Sequence, residues 1–150
     1  MKGGQRVQGI NVVGTWKLIS VKADNSKGDV IYPYGEDAFG ILMYDANGYM
    51  YTLLMRRGRS KFVSGEMWSG TSEELKEAFE GFDAYCGTYE LDIENGKVTH
   101  HVEGARFPNW EGTDQQRFFE LSDDRLVIKT VPIPSFGTEW VVSLIWDRVV

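Results

Sequence analysis

A single cysteine, Cys86, stands in 150 residues, so the chain cannot close an internal disulfide, and nothing in it asks for an oxidising compartment. No run of about 18 apolar residues occurs, which excludes a helical membrane span. The opening stretch Met1 to Gln8 is polar and glycine-rich and lacks the apolar core of a secretory signal, so a cytoplasmic location is expected. Positive charge is also scarce: the net charge is −6, against the clustered Lys and Arg that nucleic acid or an anionic membrane surface requires. Arg56, Arg57, Arg59 and Lys61 form the one basic cluster, and its ordinary reading is a solvated loop. A phosphate-cradling loop is missing as well, because Gly65 and Gly70 are not followed by the Lys-Ser/Thr pair that would complete one.

What is present is a globular composition, 42% hydrophobic and 25% charged, sized for one domain with a real core. The whole chain is therefore read as a single domain, 1–150, with residues 1–11 as a flexible N-terminal segment. Apolar residues fall in short β-type runs at about Val13–Lys22, Ala38–Asp45, Tyr49–Arg56, Cys86–Ile93, Lys97–Ala105, Gln115–Leu121, Arg125–Val131 and Thr138–Arg148. Turn pairs separate several of them: Asn47-Gly48, Asn95-Gly96 and Asp123-Asp124. One helix is signalled at Ser72–Ala84, capped by Thr71 or Ser72, with Leu75, Phe79 and Phe82 on one face. A single helix among eight strands argues against a βαβ parallel sheet. The expected fold is all-β: an eight-stranded antiparallel up-and-down barrel with one short helix, closed because closure removes exposed edges.

Hairpin geometry predicts which side chains face inward. A two-residue loop at Asn95-Gly96 pairs Ile93 with Val98, Leu91 with His100 and Tyr89 with Val102. It turns His100 into the barrel and leaves His101 in solvent beside Glu90. The loop at Asp123-Asp124 pairs Leu121 with Leu126, Phe119 with Ile128 and Arg117 with Thr130, which carries Arg117 and Gln115 inward. Both faces of 38–45 and 49–56 are apolar, and the pattern does not orient them.

Gly14-Thr15-Trp16, opening the first strand, resembles the Gly-x-Trp signature of lipocalins and their calycin relatives. Arg148, at the end of the last strand, is similar to the basic residue that packs over that Trp, so the resemblance implies that Trp16 and Arg148 close one barrel end through a cation–π contact. Longer stretches resemble the bacterial and fungal lipocalin-like domain family: Tyr32-Pro33-Tyr34-Gly35-Glu36-Asp37, Asn47-Gly48-Tyr49-Met50, Tyr85-Cys86-Gly87-Thr88-Tyr89, the segment 98–104 and the segment 107–115. This similarity implies a calycin-type barrel and no particular chemistry.

An inward His100 has a pKa suited to proton transfer, and an inward Arg117 can anchor a carboxylate, enolate or carbonyl oxygen. The ordinary alternatives are a structural histidine bonded to a tyrosine, and a buried ion pair. Tyr85, Tyr89, Gln115 and Trp140 join His100 and Arg117 as the expected ligand-binding set. Binding of a small, largely apolar metabolite is the first expectation. A cofactor-independent isomerase, cyclase or hydratase acting on a polyene, polyketide or terpenoid-like substrate, with His100 and Arg117 catalytic, is the second. A barrel filled by its own side chains, serving as a homodimer or interaction module, is the third. No metal and no cofactor are expected: adjacent His100 and His101 point to opposite faces, and an external cluster of Glu90, Glu103 and His101 is a remote alternative. Cys86 is expected on the outward face without a basic partner, and Ser20 and Ser143 lack a His–Asp accompaniment.

Overall fold

The computed structural model describes residues 11–150. The expected flexible segment lies, apart from Asn11, outside the described residues; Asn11 itself is tied down, its carbonyl accepting a hydrogen bond from Arg148 Nη2 at 2.7 Å. Among the described residues no helix is long and apolar enough to cross a membrane.

In chain order the elements are β1 (Gly14–Asn25), β2 (Val30–Ile31), β3 (Phe39–Tyr44), β4 (Tyr49–Met55), α1 (Ser72–Glu80), β5 (Phe82–Asp92), β6 (Lys97–Ala105), a 3-10 turn (Pro108–Trp110), β7 (Asp114–Ser122), β8 (Arg125–Thr130), β9 (Ile133–Ser135) and β10 (Thr138–Arg148). Neighbouring strands pair antiparallel from β1 through β3 to β8 and then β10, and β1 pairs with β10. That last ladder closes an eight-stranded barrel, leaving β2 and β9 as short additions on β1 and β10.

Alternation places the core. Trp16 and Leu18 point inward on β1, then Val21 and Ala23 do so after a bulge at Ile19 shifts the parity. The two strands that the pattern left unoriented are settled by pairing: Leu42 and Tyr44 of β3, and Met50, Thr52 and Leu54 of β4, face the core, while Tyr49 and Tyr51 face solvent. The register at Asp123-Asp124 is as the hairpin argument has it, with Arg117 opposite Thr130. At Asn95-Gly96 it is not. Leu91 pairs with Val98 and Tyr89 with His100, because the loop holds four residues, Ile93 to Gly96. Asp92 causes the difference: its carboxylate accepts from the Asn95 backbone and side-chain amides and builds a longer turn. The slip is by two residues, so the inward face is unchanged.

The helix is shorter than expected. Thr71 and Glu74 form a reciprocal capping box, and Gly81 ends the helix after Glu80. Phe82, Asp83 and Ala84 then pair with Met55, Leu54 and Leu53 as the start of β5, so Phe82 leaves the helical face and takes a sheet position. Cross-strand pairing over three residues outweighs continuation of a helix that buries none of its residues. Gly87 allows β5 to meet β6 at a bulge opposite Glu103: a Cβ there would collide with the His101 carbonyl oxygen.

One end of the barrel is plugged. Trp16 is fully buried and its indole N–H donates to the Val12 carbonyl at 2.9 Å. The Arg148 guanidinium sits 4.3 Å from the Trp16 ring centroid and donates to the Val13 and Asn11 carbonyls at 2.9 and 2.7 Å. Gly14 makes room for it, since a Cβ would stand 3.0 Å from Arg148 Nη1 and φ is +144°. The opposite end is framed by the segments 26–38, 56–81, 106–113 and 131–137. Here the basic cluster lies in a largely solvent-exposed loop, as expected, and its arginines also tie these segments together. Arg56 donates to the Pro33 carbonyl, Arg57 to that of Asp37 and Arg59 to that of Ala78 near the C-terminus of α1.

Candidate functional site

Between the plug and the open end lies a cavity of about 440 Å³. Its walls are mostly apolar and aromatic, with Leu42, Ile128, Leu144 and Trp146 in the interior and Phe107, Trp110, Phe136 and Trp140 toward the open end. A space of this size inside a wall of rings is the form that small-molecule sites take.

His100 is held in this wall by two tyrosines. Its Nε2 lies 2.7 Å from the Tyr44 hydroxyl of β3 and its Nδ1 2.7 Å from the Tyr85 hydroxyl of β5. Burial, reinforced by the charges of Arg117 and then His101, pushes the His100 pKa down to about 3. The ring is therefore neutral at ordinary pH, with one nitrogen donating and the other accepting. One tyrosine accepts from it and the other donates to it. Tyr85 and Tyr44 are both raised above the ordinary phenol value, in each case by burial first. The trio is a hydrogen-bonded strut across three strands.

Arg117 of β7 is only 5% exposed. Its Nη1 donates to the Gln116 carbonyl at 3.0 Å, and its guanidinium carbon stands 5.4 Å from the Trp110 ring centroid. Trp110 in turn meets Tyr85 edge-on at 5.4 Å. Among the described residues no carboxylate lies within ion-pair distance of Arg117. A second arginine, Arg106, lines the cavity and faces Asp83 at 3.5 Å, while its Nη1 donates to the Phe79 carbonyl at the end of α1. Burial raises the Asp83 pKa, and Arg106 opposes that rise. Tyr34, beside the same pair, is pushed up to about 12 by burial and by the Asp83 charge.

The structure thus brings Tyr85, His100, Arg117 and Trp140 together on one cavity. Tyr89 and Gln115 share the inward-facing strands but are not among the lining residues. Tyr89 packs at a tilt against Tyr44, ring centroids 4.6 Å apart, and donates to the Asp45 carbonyl, and the Gln115 amide donates to the Thr113 hydroxyl. Trp16 and Arg148 belong to the plug. His101, outside, is clasped by Asp114 and Glu90, each at 2.7 Å, rather than by Glu103, and these contacts raise its pKa. Cys86 is exposed, on the outward face as expected.

Sequence reasoning missed Asp83, Arg106, Trp110 and Trp146 as lining residues. Asp83 was hidden by the expectation that the helix ran to Ala84. Trp146 had a usable signal, since it alternates with Leu144 and Val142 on the inward face of the last strand.

Known proteins bear on this architecture in three ways. The lipocalin-like domain family matches residues 13–149. The 4'-hydroxy-3'-methoxypropiophenone carrier protein ppsC of Aspergillus oryzae is 35% identical over 106 residues, spanning 66% of this chain and 96% of that one. A crystal structure of a lipocalin-like protein from Bacteroides uniformis aligns with a TM-score of 0.46 and 11% identity, covering 92% of this chain and 98% of the other. With the barrel, its plugged end and a match over nearly the full length all in view, the chain belongs to the lipocalin-like domain family.

Proposed function

We propose that the protein binds a small, largely apolar molecule inside the barrel and acts as its carrier. The observation that carries this reading is the cavity of about 440 Å³, lined by aromatic rings and open at one end of a barrel whose other end is plugged. A relative is named as a carrier of a small aromatic ketone, which supports the same role here. Tyr85, His100, Arg117 and Trp140 are the contacts assigned to the ligand, with Tyr89 and Gln115 supporting the wall behind them.

The alternative of a cofactor-independent isomerase or cyclase would need His100 to take up and return a proton. Its imidazolium is strongly disfavoured and both its nitrogens are engaged, so the geometry favours holding a ligand over transforming it. The acidic net charge of −6 supports a reading without nucleic acid or an anionic membrane surface as partner. Native mass spectrometry of gently purified protein, followed by organic extraction, tests the proposal. A stoichiometric small molecule, or stoichiometric uptake of an uncharged apolar fluorophore such as N-phenyl-1-naphthylamine, is expected. Protein that arrives empty and takes up no apolar probe refutes it.

A further inference from the structure

The charges around the cavity do not balance. Asp83 of β5 is matched by Arg106, its neighbour at 3.5 Å, and feels the Arg117 charge more weakly, while Arg117 faces the same space with no carboxylate at contact distance among the described residues. The other titratable groups facing Arg117 are uncharged at neutral pH: His100 of β6, Tyr85 of β5 and Tyr44 of β3. The described lining therefore carries two guanidinium charges against one carboxylate. An arginine that is 5% exposed loses most of its hydration, and a backbone carbonyl, the Tyr85 hydroxyl and a ring face return only part of it.

A second, independent observation concerns another residue of the same wall. Trp146 is 1% exposed and lines the cavity, yet its indole N–H has no acceptor among the described residues. Buried donors are nearly always satisfied, so an unmatched one on a cavity wall marks where an acceptor from outside the chain belongs. The rings of Trp110, Trp140 and Phe107 suit a flat molecule.

Resting on the carrier reading above, we propose that the cavity selects planar aromatic monoanions, holding an ionised phenolic or carboxylic oxygen against Arg117 and an uncharged acceptor oxygen against the Trp146 indole N–H. The ligand's acidic proton is released to solvent. The ionised oxygen supplies the charge that Arg117 lacks, through the charge-assisted hydrogen bonds for which a guanidinium fork is suited.

The test uses two probes of nearly the same shape, 4-nitrophenol and its methyl ether 4-nitroanisole, titrated into the full-length protein. The ionised phenol should bind at least about tenfold more tightly than the ether. At a pH where free 4-nitrophenol is mostly protonated, adding protein should raise the long-wavelength absorbance of the phenolate. Arg117→Met should collapse the affinity ratio to about two- or threefold, and Trp146→Phe should weaken both probes alike. If both probes bind wild-type protein equally, the anion selectivity is refuted and the carrier reading stands. If neither binds, both fall together. The wild-type comparison decides the matter even where a variant fails to fold.

Discussion

Acid should unfold this protein in a way that one residue dominates. His100 has a pKa near 6.5 in the unfolded chain and one pushed down to about 3 in the barrel. The unfolded state therefore takes up a proton as pH drops below 6.5, while the folded state refuses it. Stability associated with His100 is fully present above pH 6.5 and is lost progressively between 6.5 and about 3. Each unit of separation is worth about 1.4 kcal/mol, so lowering the pH from 6.5 to 4 should cost roughly 3 kcal/mol through this group alone. That is a large share of the ~5–15 kcal/mol that typically stabilises a domain. The assay is urea denaturation followed by tryptophan fluorescence, repeated at half-unit intervals from pH 7 to pH 4. The comparison is with His100→Gln, whose amide keeps a donor and an acceptor between Tyr44 and Tyr85 but does not titrate. The absolute stabilities of the two proteins are not the readout. The difference between their pH profiles is, because Asp83, His101 and the surface carboxylates contribute equally to both. Wild type should fall more steeply than the variant across pH 6 to 4. Parallel profiles would show that His100 titrates normally and would refute both the burial argument and the case against a proton-shuttling role.

Other perturbations have smaller or differently signed effects. Arg148→Met removes two hydrogen bonds to backbone carbonyls and a cation–π contact at the plugged end. It should cost about 2–4 kcal/mol in urea denaturation, and Arg148→Lys should recover less than half of that, because an ammonium cannot reach both carbonyls and cover the ring; full rescue by Lys would contradict this geometry. His101 has a raised pKa through Asp114 and Glu90, so its contribution is present below pH 6.5 and is lost as pH rises through the folded value. With both carboxylates about two-thirds exposed, His101→Gln should cost less than ~1 kcal/mol at pH 5.5 and nothing measurable at pH 8.5, and a loss that is equal at both pH values would exclude the ion pairs as its source.

The sequence alone determined the parts of this protein that depend on neighbours along the chain. Alternation in β6 and β7 decided that His100 and Arg117 face inward, and the tight turn at Asp123-Asp124 settled the register of β7 on β8. Even at the four-residue loop before Lys97 the faces came out correctly, because a slip of two residues preserves them while moving every pairing. The helix start was legible in Thr71 and Glu74, but its end was not. Whether Phe82 to Ala84 continue a helix or join a sheet is decided by the free edge of β4, which no local pattern contains.

Only the tertiary structure decided what the inward residues meet. Tyr44 reaches His100 across 56 residues of chain, and Asp83 becomes a cavity residue because Arg106 returns beside it from the end of β6. Among the described residues Arg117 is left without a carboxylate at contact distance, and Trp146 without an acceptor, for the same reason. Closing β1 onto β10 sets which side chains share a level in the lumen. That choice follows from stagger and bulges accumulated around the whole barrel, and so is invisible to any stretch of sequence read by itself.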